Sequence, residues 1–241
     1  MKKAIILAGG QGTRLRPVTL EIPKPLVTVN RKPIINYLIG LFHKHGVEEA
    51  AIVIRPKDRE EFEWWHKRWL KDLGGVKINF FEEPRPRGTI GHWARELRHW
   101  TGDEPFFYTN GDELKDVDLG AMEKKHKTNG ELATIALVAV PNPHEYGVAV
   151  LEGDKIRHFL EKPKNPPTNL ISSGLYILEP DIFKYLENRV KSNEEFLMVE
   201  KDLFPHLAKD GKLTAFKSSG RWYDCGTLER WEEAIKEWDK S

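Results

Sequence analysis

Short apolar runs alternate with stretches of helical period through the first half of the chain. These runs predict four strands, at residues 4–7, 51–54, 76–81 and 106–109. Between the first two, Ile34, Leu38 and Leu41 share one face of a predicted helix. Strands that alternate with helices are typical of a mainly parallel sheet covered by helices. We therefore expect an α/β fold in this half.

Apolar runs in the second half follow one another closely, and most are separated by too few residues for a long helix. They predict strands at residues 132–140, 147–151, 156–160 and 171–178. We expect these strands to be added to the same sheet. The chain has no Ser-rich or Gly-rich linker and no internal repeat, so residues 1–241 predict one continuous domain.

Two aromatic stripes follow helical spacing. One is Phe62, Trp65 and Trp69, and the other is Trp231, Ile235 and Trp238. We expect both to pack into the core, and a subunit contact is the alternative for the second. Trp64 lies off the first stripe and could instead be exposed, at a subunit contact or on a lid.

Charge and composition exclude several classes of protein. The 38 Lys and Arg residues nearly balance the 37 Asp and Glu residues, for a net charge of +1, so we expect no nucleic-acid partner. The apolar segment at residues 4–8 is shorter than the ~7–15 residues of a secretory signal. The longest nearly apolar stretch, residues 132–140, is far below the ~18 residues of a membrane span. Cys225 is the one cysteine, so no internal disulfide can form, and we expect a cytoplasmic protein without a membrane partner.

A glycine-rich loop directly follows the first predicted strand. Gly9, Gly10 and Gly12 allow backbone N–H groups to approach an anion closely. Arg14 and Lys24 bring cations to the same end of the sheet, where open α/β sheets bind ligands. A tight strand-to-helix turn is the alternative interpretation. We assign the loop to nucleotide binding, through Leu7, Ala8, Gly9, Gly10, Gln11, Gly12 and Thr13.

This loop differs from two common nucleotide motifs. No Gly-Lys-Ser/Thr follows at the spacing of a Walker A loop, which disfavours kinases and ATPases of that type. Leu15 stands where the dinucleotide fingerprint requires its third glycine. Because Arg14 and Lys24 supply two cations, the pattern favours a triphosphate over a diphosphate bridge and disfavours hydride transfer.

Two aspartates far apart in the chain each follow a predicted apolar segment. Asp112 ends the segment at residues 105–112, and Asp224 precedes the turn at Gly226. Each alone is an ordinary turn or cap residue. Together with a glycine-rich loop and two cations, they fit Mg²⁺ held by one or two carboxylates and by substrate phosphate oxygens.

Six motifs together resemble the sugar-1-phosphate nucleotidylyltransferase family, in the order in which that family carries them. They are residues 9–15 (GGQGTRL), 23–26 (PKPL), 110–112 (NGD), 161–163 (EKP), 174–176 (GLY) and 224–227 (DCGT). This resemblance spans nearly the whole chain. It implies a Rossmann-like nucleotidyltransferase fold, with a mixed, mostly parallel central sheet flanked by helices and extra strands on the sugar side. It further implies one catalytic domain, with a nucleotide-binding half at 1–130 and a sugar-binding half at 131–241.

The reaction implied by the resemblance is NTP + sugar 1-phosphate → NDP-sugar + pyrophosphate, with Mg²⁺ as cofactor. Arg14 would neutralise the β- and γ-phosphates, Lys24 would contact the α-phosphate, and Lys162 would orient the sugar phosphate. Asp112 and Asp224 would hold Mg²⁺. The residues expected to bind sugar are Asn110, Gly147, Glu161, Lys162 and Ser173. Because a phosphate oxygen is already a competent nucleophile, we expect direct in-line displacement without a covalent enzyme intermediate.

Base selection is expected in the loop that contains Glu83, Gly88 and Thr89. Thymidylyl relatives carry glutamine where this chain has Glu83. An ionised carboxylate only accepts hydrogen bonds, which matches the two adjacent donors of guanine better than the donor and acceptor of uracil or thymine. The Gly88-Thr89 pair also resembles mannose-1-phosphate guanylyltransferases. We therefore predict GTP and mannose 1-phosphate, or a related sugar; the alternative for Glu83 is a solvated loop acid.

Several alternatives stay open at this stage. Residues 171–174 (ISSG) depart from the Asn-Ala-Gly or Val-Thr-Gly of relatives, so Ser173 would have to supply the hydroxyl and the sugar is undecided. Thymidylyl or uridylyl transfer to glucose 1-phosphate or an amino-sugar phosphate is one alternative. Transfer to a non-sugar phosphate and a non-catalytic sugar-nucleotide sensor are others. A homodimer is also open.

Overall fold

The strands and helices of the computed structural model follow the predicted alternation. The structure describes residues 1–91, 97–188 and 196–239. Within those ranges the strands are β1 (Lys3–Leu7), β2 (Thr28–Val29), β3 (Lys32–Pro33), β4 (Glu49–Ile54), β5 (Lys77–Glu82), β6 (Phe106–Asn110), β7 (Glu113–Lys115), β8 (Ala133–Ala139), β9 (Gly147–Glu152), β10 (Lys155–Glu161), β11 (Leu170–Leu178), β12 (Leu213–Lys217) and β13 (Trp222–Asp224). The helices are α1 (Val18–Glu21), α2 (Ile34–Lys44), α3 (Arg59–Trp69), α4 (Arg98–Thr101), α5 (Leu119–Asn129), α6 (Ile182–Glu187), α7 (Phe204–Lys209) and α8 (Leu228–Glu237). All eight strands predicted from apolar runs are present, which confirms the mixed α/β fold.

The chain folds into two compact units, each assembled from separated stretches. Unit 2 contains Lys2–Arg85, Thr109–Val117 and Gly220–Ser241. Unit 1 contains Met1, Pro86–Tyr108 and Asp118–Ser219. Each unit therefore draws on both the first and the second half of the sequence.

Unit 2 is built on parallel strands. β1 pairs with β4 and β4 pairs with β5, both in parallel, with Ile5 opposite Ala51 and Ala51 opposite Asn79. The end of β6, which belongs to this unit, follows β1 in the strand order. Because β1, β4 and β5 are parallel, their carboxyl ends lie at one edge, and the loops that follow them meet there.

A hydrophobic cluster in unit 2 packs helices of this unit against the short strand pair formed by β7 and β13. Its buried members are Leu15, Val27, Val29, Ile34, Leu114, Cys225, Ala234 and Trp238. β7 and β13 are antiparallel, with Asp224 opposite Glu113. This pairing brings residues that are more than a hundred positions apart in sequence to one place. Burial raises the pKa of the Cys225 thiol to about 12, so that side chain is a neutral member of the core.

The predicted aromatic stripes are confirmed in part. Phe62 and Trp65 of α3 are buried, and Trp64 is 68% exposed. Trp238, directly after α8, is buried, but Ile235 of α8 is 38% exposed, so the expectation that Ile235 packs into the core is wrong. Helical spacing placed Ile235 near the stripe, yet only one side of α8 faces the cluster.

Unit 1 is a mixed sheet in the order β11-β8-β12-β10-β9. β8 is antiparallel to β11 and parallel to β12, and β9 and β10 form an antiparallel hairpin. β12 was not predicted from the apolar pattern. None of the helices in the described ranges has the length and apolar character that a membrane span requires.

Candidate active site

The glycine-rich loop occupies the carboxyl-terminal edge of the parallel strands in unit 2. At the start of the loop, the Ala8 amide donates to the Val53 carbonyl of β4 at 2.8 Å. This hydrogen bond places the start of the loop beside the end of β4. A Cβ atom added at Gly9 would lie 3.8 Å from Glu83 Oε2. A Cβ at Gly10 would meet nothing within 4 Å. The backbone at Gly10 is thus open to a ligand, and Glu83 lies beside Gly9.

Gly12 requires glycine for two reasons. Its φ of 60° lies in the left-handed region, which side chains disfavour. A Cβ there would come within 2.8 Å of Thr19 Cγ2, while the Thr19 hydroxyl donates to the Gly12 carbonyl at 2.6 Å. The loop is therefore held in one shape before any ligand arrives.

Gly111 and Asp112 are positioned by β1, the strand that leads into the glycine-rich loop. The Gly111 amide donates to the Leu7 carbonyl at 2.9 Å, and a Cβ at Gly111 would lie 2.6 Å from that same oxygen. Glycine thus allows the close approach that sets Asp112 next to the end of β1.

Lys24 joins the two predicted acids. Its ammonium lies 2.5 Å from Asp112 Oδ2 and 3.8 Å from Asp224 Oδ1. Only 9% of the Lys24 side chain is exposed, so this cation and the carboxylates interact with little solvent screening. The structure therefore brings together Lys24, Asp112 and Asp224, the three residues on which the predicted chemistry most depends.

Lys24 and Asp112 stabilise each other in their ionised forms. Burial by itself would lower the pKa of Lys24, but Asp112 and Asp224 outweigh it and raise that pKa. Burial would raise the pKa of Asp112, but Lys24 and Lys115 outweigh it and lower that pKa. Lys24 and Asp112 consequently remain charged together at neutral pH.

Asp224 has further cationic neighbours. Arg230 Nη1, in the first turn of α8, donates to Asp224 Oδ2 at 2.8 Å. A Cβ added at Gly226 would lie 2.6 Å from Asp224 Oδ1 and 3.2 Å from Arg14 Nη2. Gly226 thus leaves room for both groups, and the predicted phosphate ligand Arg14 lies at this site.

Asp112 and Asp224 have the chemistry of ligands for a divalent cation. Two carboxylates near the end of β1 fit a hard divalent cation that takes its other ligands from phosphate oxygens and water. The described residues contain no group of three or more His, Cys, Asp or Glu side chains suited to a metal ion. A cation held by Asp112 and Asp224 would therefore depend on the substrate to complete its coordination.

Three of the predicted sugar-side residues lie together in unit 1. Gly147 of β9 is paired with Glu161 of β10, and a Cβ at Gly147 would lie 3.3 Å from Glu161 Oε2. Lys162 adopts a φ of 48°, its amide donates to Tyr146 O at 3.0 Å, and its ammonium lies 3.6 Å from Glu161 Oε1. Burial raises the pKa of Glu161, and Lys162 offsets only part of this. The Lys162 side chain is 59% exposed.

Other predicted residues are engaged in structural contacts. The buried Ser173 hydroxyl donates to Ala136 O at 2.9 Å, and Asn110 Nδ2 donates to Glu113 Oε1 at 3.1 Å. Gly88, with a φ of 81°, leaves no room for a Cβ beside Leu197 O. The Thr89 hydroxyl donates to Glu200 Oε2 at 3.1 Å. Each of these residues thus stabilises its own unit, whatever else it contacts.

The family model described as nucleotidyl transferase matches residues 3–241. The chain belongs to the nucleotidyl transferase family.

Similar proteins include two mannose-1-phosphate guanylyltransferase catalytic subunits beta. Those from Danio rerio and Xenopus tropicalis are 38% identical over 228 residues and 39% identical over 229 residues, respectively. Each alignment covers 93% of this chain and 61% of the relative. The nucleotidyl transferase chain thus spans about 61% of the length of these relatives.

Solved structures of the nucleotidyl transferase fold superpose closely. A Bacillus anthracis protein described as a glucose-1-phosphate thymidylyltransferase, in complex with a sucrose, gives a TM-score of 0.89 at 25% identity, covering 98% of this chain and 94% of that one. A UDP-glucose pyrophosphorylase complexed with UDP-glucose gives 0.82 at 28% identity, covering 99% and 98%.

This nucleotidyl transferase also contains polar residues near the acids that sequence reasoning missed. The buried Lys115 ammonium lies 2.8 Å from Glu113 Oε2 and donates to Thr109 Oγ1 at 3.0 Å. Glu113 also accepts from Trp222 Nε1 at 3.2 Å. Opposite charges two positions apart in a short strand share one face, which is a signal for the Glu113–Lys115 pair. Arg230, three residues after the Thr227 cap of α8, had no comparable signal.

Proposed function

We propose that the protein transfers a nucleotidyl group from an NTP to a sugar 1-phosphate, giving an NDP-sugar and pyrophosphate. The observation that carries this proposal is Lys24 Nζ at 2.5 Å from Asp112 and 3.8 Å from Asp224, at the strand edge where the glycine-rich loop lies. This arrangement suits the alignment of two phosphates that repel each other, for which catalysis is mainly positioning and charge stabilisation. We propose that residues 1–241 act together as one catalytic domain.

The nucleotide would be bound by unit 2. Backbone amides from Gly9 to Thr13 would donate to phosphate oxygens, and Arg14 would balance the charge of the β- and γ-phosphates that leave as pyrophosphate. Lys24 would contact the α-phosphate. Asp112 and Asp224 would hold Mg²⁺, which when bound supplies Lewis-acid polarisation of phosphate.

The sugar phosphate would be bound by residues of unit 1. Glu161 would accept hydrogen bonds from sugar hydroxyls, and the Gly147 amide would donate to the sugar. The exposed Lys162 ammonium would orient the attacking phosphate oxygen. The pairing of Gly147 with Glu161 and the 3.6 Å approach of Lys162 support a common role for these three.

We infer GTP and mannose 1-phosphate, or a related sugar, as the preferred substrates. The two relatives at 38% and 39% identity are mannose-1-phosphate guanylyltransferases, and Glu83 lies beside the glycine-rich loop. A carboxylate at this position can accept from guanine N1–H and N2–H₂ together. The second candidate is thymidylyl or uridylyl transfer, which the superposed thymidylyltransferase and UDP-glucose structures favour. The single cysteine fits a reducing, cytoplasmic setting.

Pyrophosphate release across a matrix of five NTPs and several sugar 1-phosphates tests these proposals. GTP, dTTP, UTP, CTP and ATP would each be paired with mannose, glucose and N-acetylglucosamine 1-phosphate, with and without Mg²⁺. We expect turnover that requires a divalent cation and is fastest with GTP and mannose 1-phosphate. Fastest turnover with dTTP or UTP would refute guanine selection by Glu83. A matrix without turnover, with NTP binding intact, would support the sugar-nucleotide sensor instead.

A further inference from the structure

An exposed tryptophan lies at the centre of a surface helix. α3 has eleven residues, Arg59–Trp69, and Trp64 is the sixth. Phe62 and Trp65 face the interior of unit 2, whereas 68% of Trp64 is exposed. Large aromatic side chains at this exposure are frequent at protein–protein interfaces and infrequent on bare surfaces.

The charges on the exposed face of α3 are antisymmetric about Trp64. Glu60 and Glu61 lie four and three positions before it, and Lys67 and Arg68 lie three and four positions after it. Residues at these offsets share the face of Trp64, and all four are exposed. Acids at a helix start and bases at its end complement the helix dipole, but the dipole does not account for an exposed tryptophan between them.

Most of these charges have no partner among the residues that the structure describes. Across the described ranges, Glu60, Glu61 and Lys67 form no ion pair or side-chain hydrogen bond, unlike Arg59, which pairs with Glu63 at 2.6 Å on the same helix. Arg68 lies over the ring of Trp69, with its Cζ 5.6 Å from the ring centroid. The face is therefore available for intermolecular pairing.

An apolar groove runs beside this helix. It has a volume of about 530 Å³. α3 lines it with three tryptophans and three charged residues, namely Trp64, Trp65, Trp69, Glu60, Glu61 and Arg68. The opposite side includes Ile22, which is 43% exposed, and Leu26. Nearby chain positions add further exposed apolar area, since Leu20 is 62% exposed and Leu70 is 56% exposed. An apolar centre with charges at both ends is the usual layout of a specific interface.

We propose that this face binds the same face of a second copy of the protein, in a two-fold dimer with the two α3 helices antiparallel. A two-fold axis through the centre of α3 would place Trp64 against its counterpart and the partner's groove. It would also place Glu60 and Glu61 of each copy opposite Lys67 and Arg68 of the other. Because a two-fold interface must be complementary to itself, antisymmetric charge about one central residue selects a second copy over an unrelated partner.

Charge reversal tests this arrangement directly. In the variant Glu60→Lys/Glu61→Lys, both ends of the face are positive, and in Lys67→Glu/Arg68→Glu both ends are negative. We expect wild-type protein to dimerise with a dissociation constant in about the micromolar range, given the small contact area of one helix and its flanks. Each double variant should be at least about tenfold weaker by sedimentation velocity, because like charges meet at both ends.

The decisive measurement is the mixture of the two variants. In an antiparallel pair, the positive face of one variant meets the negative face of the other at both ends, so an equimolar mixture should form the heterodimer. The quadruple variant that carries all four changes should recover the homodimer. Both recoveries also show that the variants are folded. Glu232→Lys/Glu233→Lys on the exposed face of α8 makes the same change in net charge and should leave dimerisation unchanged.

A cysteine at the axis tests the geometry. Trp64→Cys should form an intermolecular disulfide under mild oxidation, whereas Glu61→Cys, which lies off the axis, should form far less. The native Cys225 is buried and should not contribute. Wild-type protein that stays monomeric to about 200 µM, a dimer unaffected by either reversal, or a mixture without heterodimer would each overturn the proposal.

Discussion

The fully buried ammonium of Lys115 lies 2.8 Å from Oε2 of Glu113. Glu113 directly follows Asp112 in the sequence. Asn110 Nδ2 and Trp222 Nε1 also donate to the Glu113 carboxylate, at 3.1 and 3.2 Å. Burial raises the pKa of Glu113, and the nearby Asp112 and Asp224 raise it further, while Lys115 opposes the rise. Lys115 therefore stabilises β7, the strand that directly follows Asp112 and pairs with the strand of Asp224.

Replacement of Lys115 by methionine is expected to lower the free energy of unfolding by about 3 to 5 kcal/mol, because it leaves the Glu113 carboxylate buried without its cation. Urea denaturation followed by circular dichroism would measure this. Lys236→Met, which breaks the exposed pair with Glu232, should cost less than about 1 kcal/mol. The double variant Glu113→Gln/Lys115→Met should recover part of the loss; equal losses in both lysine variants would contradict the buried-pair interpretation.

Asp112→Asn and Asp224→Asn are each expected to reduce kcat by at least about 100-fold, since each removes a hard anionic ligand for the divalent cation. The Mg²⁺ concentration for half-maximal activity should also rise. Pyrophosphate release over a Mg²⁺ titration would measure both effects. Asp72→Asn, an exposed acid of the same unit, is the matched control. Near-normal rates at limiting Mg²⁺ in either site variant would remove that aspartate from the mechanism.

Glu83→Gln should shift base preference, because glutamine both donates and accepts a hydrogen bond whereas the carboxylate only accepts. We expect the ratio of kcat/KM for GTP to that for UTP to fall by at least about tenfold, the loss of one charge-assisted pair. Glu82→Gln removes the same charge from the adjacent exposed residue and should leave the ratio unchanged. An unchanged ratio in Glu83→Gln would assign base selection to another residue.

His126 should make the stability of the protein depend on pH. Burial lowers the pKa of His126, and the hydrogen bond to Glu179 at 2.9 Å opposes this in part. Because the folded pKa lies below the unfolded value of about 6.5, the unfolded state takes up more protons as the pH falls below that value. The contribution of neutral His126 is therefore present above pH ~6.5 and is lost as the pH falls toward the folded pKa.

Denaturation at pH 7.5 and 5.5 would measure this dependence. His126→Gln should lose less stability than the wild type between the two pH values, and the exposed His144→Gln should behave like the wild type. The same pH dependence in all three proteins would exclude His126 as its source.

The local sequence pattern predicts the main strands and the glycine-rich loop, but it does not predict the contacts around Asp112 and Asp224. The run before Gly9 and the glycines themselves predict a strand followed by an anion-binding turn, because both depend on neighbours in sequence. Asp112 and Asp224 are 112 residues apart, and only the β7–β13 pairing brings them together. The resemblance to the sugar-1-phosphate nucleotidylyltransferase family predicts that Asp112 and Asp224 act together. Their spacing in the sequence does not predict this.

Burial of polar groups was the least predictable feature. Ser173 is the second residue of the Ser172-Ser173 pair, and the sequence pattern does not show that its hydroxyl donates to Ala136 O. β12 was missed because Leu213–Lys217 is short and mixed in character, and it forms a strand through parallel pairing with β8. Helical spacing predicts a core position for Ile235 because it defines an apolar stripe on α8. It does not define how much of that stripe is covered by the rest of the protein, and Ile235 is 38% exposed.

The division of the chain into interleaved units has a consequence for how such enzymes can be recombined. Unit 2 is made of three stretches, with junctions at Arg85–Pro86, Tyr108–Thr109, Val117–Asp118 and Ser219–Gly220. No single crossover between two homologous genes can therefore exchange one unit whole and leave the other intact. A chimaera that takes unit 1 from one homologue and unit 2 from another must transplant Pro86–Tyr108 and Asp118–Ser219 as a matched set.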